Sequence, residues 1–196
     1  MLKRFFDIIC SLIGIILLLP FFIIISFLVI ATSGFPVYYT QTRVGEKRRN
    51  FKLFKFRTMH TYADEKGLLT VGGRDPRVTR IGYYLRKYKL DELPQLFNVL
   101  VGDMSLVGPR PEVNKYVDLY NAHQLQVLNV KPGITDLASL EFINENELLA
   151  QSFNPEETYI NKIMPQKLML NLKYIEQQSF TTDLKIIFST LLKIVK

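Results

Sequence analysis

From Phe5 to Ala31 the chain is apolar except for Asp7, Ser11, Gly14, Pro20 and Ser26. A run of that length fits the interior of a bilayer better than the core of a small soluble domain. As one helix it would measure roughly 40 Å, against the ~30 Å of hydrocarbon that has to be crossed, so a membrane segment is expected. Small residues at Ala31-Thr32-Ser33 suit a signal peptidase, but the apolar run far exceeds the about 7–15 residues of a cleavable signal peptide. Pro20 lies near the middle of the run. It leaves the Ile16 carbonyl without a donor and presses on it, so a bend is expected there.

Both flanks of the run are basic. Lys3 and Arg4 precede it, and Arg43, Lys47, Arg48, Arg49, Lys52, Lys55 and Arg57 follow. Because positive residues gather on the cytoplasmic side, a re-entrant helix hairpin bent at Pro20 would keep both flanks there, whereas a kinked single span would put the N-terminus outside. Topology rules alone leave both open. The expected organisation is a membrane-embedded re-entrant helix over residues 1–34 and a cytoplasmic catalytic domain over 35–196.

The 196 residues suffice for one domain with an anchor, and the net charge of +7 points to anionic partners such as phospholipid headgroups or nucleotides. Cys10 is the only cysteine, which excludes an intramolecular disulfide. The soluble part reads as α+β and mainly helical. Val37-Tyr38-Tyr39-Thr40 and the segment from Phe51 to Arg57 are strand-like, and Gly72-Gly73-Arg74-Asp75-Pro76-Arg77 is a turn. A helix from about Thr79 to Lys87 would carry Arg80 and Arg86, and Lys131-Pro132-Gly133 breaks the chain again. The tail carries Leu184, Ile187, Phe188, Leu191 and Val195 at helical spacing, as an amphipathic interfacial helix or a core helix would.

Asp91 and Glu92 stand just before Pro94, and proline suits the first turn of a helix, so Leu93 is the expected cap of a helix from Pro94 to Leu100. The free N–H groups and positive dipole end at that point favour a carboxylate or a phosphate. Neighbouring residues face different ways, so the two acids should have different tasks. Downstream, Pro109-Arg110-Pro111 holds one guanidinium on a stiff turn suited to phosphate. A dipole-complementing acid pair and a surface arginine are the ordinary readings of these features taken singly. The sequence has no phosphate loop, no dinucleotide-binding glycine pattern, no Cys-x-x-Cys and no His-Glu-x-x-His, and its two histidines are His60 and His123. By elimination the plausible nucleophile is a carboxylate.

Seven stretches, met in order along nearly the whole chain, resemble the bacterial sugar transferase family, in particular its small monotopic phosphoglycosyl transferases. They are Lys3–Asp7, Gln41–Gly45, Lys55–Met59, Asp75–Gly82, Leu90–Leu96, Gly102–Pro111 and Lys131–Thr135. The resemblance implies transfer of a sugar-1-phosphate from a nucleoside diphosphate sugar, commonly a UDP-sugar, to polyprenyl (undecaprenyl) phosphate at the inner, cytoplasmic membrane, with Mg²⁺ required. It implies Asp91 as nucleophile and metal ligand, with Glu92 as its partner. The substrate-binding residues taken with it are Arg57, Arg77, Arg80, Arg86, Pro109, Arg110 and Pro111. Membrane lipid is a further partner, nucleic acid is not, and a homodimer is compatible with the reading.

Two positions depart from the family pattern. Leu19, where relatives often carry serine, precedes Pro20, and Asp136-Leu137-Ala138 follows the Pro-Gly-Ile-Thr stretch where a glycine and an aromatic residue are common. Two other classes remain open. A membrane-tethered nucleic-acid binder would account for the basic run, and a non-catalytic membrane scaffold would keep the fold without turnover.

Overall fold

The computed structural model describes residues 2–63, 67, 69–72 and 75–195. The apolar run forms α1 (Leu2–Ser33), helical throughout and including Pro20. It is long and apolar enough to cross a membrane. One stripe of α1 faces the rest of the molecule along the whole helix: Asp7, Ser11, Phe22, Ile25 and Val29 are buried, with Gly14 and Leu18 half-buried between them. These positions recur every three or four residues, so the stripe keeps its phase through Pro20. Pro20 itself is exposed on the outer side, where its missing hydrogen bond leaves that packing undisturbed.

Both ends of α1 are fastened to the same domain. At the start, the Arg4 guanidinium donates to the carbonyls of Val99 (2.6 Å) and Leu100 (2.9 Å), and Asp7 Oδ1 accepts from Leu106 N at 3.0 Å. Lys3 Nζ donates to Val107 O at 3.0 Å and pairs with Asp183. At the other end, Arg57 donates to the carbonyls of Ser33, Gly34 and Phe35, placing a cation against the negative end of the helix dipole. Between the two ends Phe22, Ile25 and Val29 pack with Phe56 and Leu85. Each such buried side chain contributes roughly 1.5–3 kcal/mol, which holds α1 along the domain. The run expected to form a re-entrant hairpin bent at Pro20 is helical from Leu2 to Ser33, and both of its ends are bound by one domain.

After α1, β1 (Tyr38–Val44) pairs antiparallel with β2 (Asn50–Phe56), Tyr38 opposite Phe56 and Val44 opposite Asn50. These strands cover the two strand-like segments. The turn expected from Gly72 to Arg77 includes Gly73 and Arg74, which lie outside the described residues. Next comes α2 (Arg80–Lys87), where Thr79 is the cap and its Oγ1 accepts from Gly82 N at 3.0 Å. Gly82 admits no side chain: a Cβ would sit 2.1 Å from Thr58 O.

A 3-10 turn, Leu90–Glu92, precedes α3 (Gln95–Val101), with Pro94 in the capping position one residue later than expected. The side chain of Asn98, fully buried in α3, accepts from Phe54 N (3.0 Å) and donates to Lys52 O (2.7 Å). That amide stitches the helix after the acid pair to the strand that carries Lys55. The short β3 (Ser105–Val107) runs parallel to β4 (Gly133–Thr135).

The remaining helices are short: α4 (Asn114–Val117), α5 (Leu137–Glu141), α6 (Glu145–Ala150) and α7 (Pro155–Thr158). A π-helical turn, Tyr159–Ile163, leads into α8 (Met164–Glu176), and α9 (Phe180–Val195) follows. Around α8 lies one core cluster, with Val113, Tyr116, Val127, Leu149 and Tyr159 among its members. α9 divides its faces. Asp183 and Ile186 are buried, Ile186 against Val107 and Tyr174, while Leu184, Phe188, Leu191 and Leu192 are exposed.

Candidate active site

Asp91 and Glu92 share one turn but not one environment. The Glu92 carboxylate is gripped by the Arg110 guanidinium, through Nη1 to Oε2 at 3.2 Å and through Nη2 to Oε1, and by Lys55 Nζ at 2.8 Å. Burial alone would push Glu92 up, but Arg110 and Lys55 together outweigh it and hold the carboxyl well below the usual range. Asp91 is buried, and among the described residues no hydrogen bond reaches its carboxylate. Burial raises its pKa, Glu92 adds to the rise, and Lys55, Arg86 and Lys89 oppose it without reversing it. Two adjacent carboxyls are therefore driven apart: Glu92 is a fixed anion in an ion-pair network, and Asp91 is the more basic of the two.

Local sequence explains the turn. Lys89 adopts a left-handed backbone (φ 56), which starts the 3-10 turn at a cost of roughly 1 kcal/mol for a residue with a Cβ. The positive end of α3 begins immediately afterwards.

Arg110 is aimed by two interlocked glycine turns. Gly108 N donates to Thr135 O (3.1 Å) and Gly133 N to Pro109 O (3.0 Å), and a Cβ on either glycine would strike the other turn's backbone within 2.4 Å. Asp136, fully buried, completes the fixation: Oδ2 accepts from Arg110 N (3.1 Å), and Oδ1 caps α5 by accepting from Ser139 N (2.6 Å). Asp136 thus fixes the backbone of the turn that carries Arg110.

Lys55, Arg86, Lys89, Asp91, Glu92 and Arg110 all face a cleft of about 900 Å³. Arg86 reaches it with Nε on Thr58 Oγ1 (3.0 Å) and Nη1 on Thr70 Oγ1 (2.9 Å). The other expected substrate residues are placed elsewhere. Arg57 caps the end of α1. Arg77 forks onto Asp75 and donates to the carbonyls of Gly67 and Leu69, each at 2.5 Å, which folds its own loop. Arg80, expected near the acid pair, is exposed at the start of α2. Pro109 and Pro111 are buried and act through their carbonyls, the latter accepting from Arg43 Nη1 at 2.9 Å.

Lys55 was legible only as part of a basic run, and Lys89 only as a cation two residues before Asp91. A second group of residues lining the cleft was not foreseen. In this group Glu112 accepts from Tyr159 Oη (2.5 Å) and Arg43 Nη1 (3.3 Å), and Lys167 pairs with Glu145 (2.8 Å). No single motif connects these residues.

Magnesium is commonly held by one or two carboxylates together with substrate phosphates. Among the described residues no three His, Cys, Asp or Glu side chains form a ligand cluster. The unpartnered Asp91 carboxylate fits a metal whose remaining ligands arrive with a phosphate substrate.

A carboxylate with a raised pKa in a cation-lined cleft, beside a helix of membrane length, fits chemistry on phosphate-bearing substrates. Comparison with known proteins narrows this. The chain belongs to the bacterial sugar transferase family, whose sequence profile matches residues 1–196. It is 39% identical over 197 residues to the uncharacterized sugar transferase EpsL of Bacillus subtilis (strain 168), covering 99% of this chain and 87% of that protein. With the UDP-glucose:undecaprenyl-phosphate glucose-1-phosphate transferase of Klebsiella pneumoniae it shares 38% identity over 195 residues, 97% of this chain but 39% of the relative's length. Exopolysaccharide production protein ExoY of Rhizobium meliloti (strain 1021) is 32% identical over 206 residues, 97% of this chain and 84% of that protein.

Proposed function

We propose that this protein transfers a sugar-1-phosphate from a UDP-sugar to polyprenyl phosphate, by way of a phosphosugar carried on Asp91, and so begins assembly of a bacterial surface glycan. The observation that carries the reading is the separation of the two acids: Glu92 is held by Arg110 and Lys55, and Asp91 is buried, basic and unpartnered in the same cleft. An Asp91 oxygen forms a bond to the sugar-bearing phosphorus while the bridging P–O bond breaks, and UMP leaves with that electron pair. A phosphate oxygen of the acceptor then bonds to the same phosphorus, and the Asp91–phosphorus bond breaks to return the carboxylate. Arg86, Lys55 and Lys89 line the cleft where negative charge accumulates on the transferring group, and they need not reorganise to meet it. Magnesium, when bound, would be held by Asp91 with the donor's phosphate oxygens and would draw off part of that charge.

The same reading keeps both ends of α1 on the cytoplasmic side, with the helix entering and leaving one leaflet. Lys3, Arg4 and Asp7 at one end and Ser33 and Gly34 at the other are bound by one domain, which supports it. The exposed Lys47, Arg48 and Arg49 supply the positive flank expected on that side.

Rapid mixing of the protein with UDP-sugars in the absence of acceptor tests the chemistry. One equivalent of UMP should appear in a burst, and steady-state rates with undecaprenyl phosphate should follow a ping-pong pattern. Intersecting double-reciprocal lines with no burst would instead establish direct transfer in a ternary complex.

A further inference from the structure

Asn171 sits on α8 with 4% of its surface exposed, yet its Oδ1 has no hydrogen-bond partner among the described residues. A buried acceptor left that way opposes folding, so the surroundings of this oxygen matter. Asn171 lines a narrow cavity of about 30 Å³, together with Pro109, Arg110, Pro111, Pro132 and Lys167. The cavity adjoins the cleft, because Arg110, Glu112, Tyr159 and Lys167 line both.

The walls decide what can satisfy the oxygen. Proline has no N–H, so the backbone of Pro109, Pro111 and Pro132 can offer the cavity only carbonyls. The one N–H within the turn, that of Arg110, is already given to Asp136 Oδ2 at 3.1 Å. Of the two cations on the wall, Arg110 is engaged with Glu92 and Lys167 with Glu145. Asn171 Oδ1 therefore meets other acceptors, and two acceptors are joined only by a group that brings two protons or a positive charge. Water brings two protons, and the cavity has room for one or two molecules at about 10–15 Å³ each.

We propose that ordered water occupies this cavity, donating one proton to Asn171 Oδ1 and the other to a carbonyl of the Pro109-Arg110-Pro111 turn, and that Asn171 is thereby a positioning residue for Arg110. Its effect on turnover rests on the transferase function proposed above. Pro109 O and Pro111 O each accept one hydrogen bond, from Gly133 N and Arg43 Nη1, and each keeps a second lone pair for the water. The turn is then held from α8 as well as by Asp136 and Gly133. Asn171 touches neither the reacting groups nor Glu92; it acts through the backbone from which Arg110 reaches Glu92.

Two measurements test this. A high-resolution crystal structure of the wild-type protein should show a solvent peak within about 3 Å of both Asn171 Oδ1 and a carbonyl of the turn, and a rubidium soak should leave no anomalous signal there. No peak, or a rubidium signal marking a monovalent cation, overturns the water. Asn171→Leu keeps the branched shape and removes the acceptor. Removing an oxygen that had no partner would stabilise the protein, whereas removing one that holds water should lower the melting temperature. In the same variant kcat for UMP release should fall at least fivefold while KM for the UDP-sugar stays within twofold. A raised melting temperature overturns the water, and an unchanged kcat overturns the positioning role. If Asn171→Leu fails to fold, kcat of Asn171→Ala decides the role by the same threshold. A wild-type protein that releases no UMP from any UDP-sugar counts against the transferase reading; the solvent peak then still decides the water, and loss of the Arg110 contact to Glu92 in a crystal structure of the variant decides the role.

Discussion

Replacing Asp91 with asparagine separates the chemical role of this residue from its structural cost. The amide has nearly the same shape, so the turn, its left-handed start at Lys89 and the ion pairs of Glu92 are all retained. The proposed nucleophile is lost, and by comparison with other covalent catalysts turnover should fall by roughly 10⁴-fold or more, which is on the order of 5 kcal/mol of transition-state stabilisation. Stability should move the other way. Burial raises the Asp91 pKa above its unfolded value, so the ionised carboxylate opposes folding. The stability associated with its protonated form is complete below about pH 3.9 and disappears as pH rises through the folded value. Asparagine does not titrate, so Asp91→Asn should melt above the wild type at pH 7, and the gap should narrow to nothing near pH 4. Thermal melts across that range, with UMP release measured on the same preparations, provide both readouts. UMP release within tenfold of the wild type would refute the nucleophile, and a variant that melts below the wild type at pH 7 would refute the electrostatic account.

Glu92→Gln should do the opposite, since it leaves Arg110 and Lys55 facing a neutral group in a buried network; urea denaturation should show a loss of about 3–5 kcal/mol, partly restored by adding Arg110→Met. Because the Glu92 carboxyl is held below its ordinary range, its contribution is present above about pH 4.3 and fades as pH falls through the folded value, so the gap between wild type and Glu92→Gln should close in acid. Gly133→Ala puts a Cβ 2.1 Å from Gly108 N, a backbone atom that cannot turn aside, so a loss of about 4 kcal/mol or more is expected, and a wild-type melting temperature would contradict the interlocked turns. In cells, Leu2→Cys combined with Cys10→Ser should resist membrane-impermeant thiol reagents added from the periplasm, and ready labelling would show that α1 crosses the membrane. Pro20→Leu in that background should raise the labelled fraction with a matching loss of activity.

The elements that local chemistry specifies were legible. The apolar run became α1, Thr79 became the cap of α2, the strand-like segments became the β1–β2 hairpin, and the acids stood before a helix start. Their reading depends on side-chain period, capping oxygens and the absent N–H of proline, all set within a few residues of chain. The arginines were not separable that way. Arg57, Arg77, Arg86 and Arg110 are chemically alike, yet one caps α1, one folds a loop, one faces the cleft and one grips Glu92. A guanidinium satisfies whichever acceptors the fold brings within reach, and those acceptors lie up to 28 residues away in sequence.

The sequence alone therefore determined that this chain has a membrane-length helix, a helix-dominated domain and an acidic pair beside a helix N-terminus, because each follows from short-range steric and hydrogen-bonding rules. Only the tertiary structure decided that both ends of α1 fasten to one domain, that Asp91 is the acid left unpartnered, and that Lys55 and Asp136 complete the site. Charge and hydrogen-bond partners are shared out by distance in space, and that distance exists only once the helices and strands have packed.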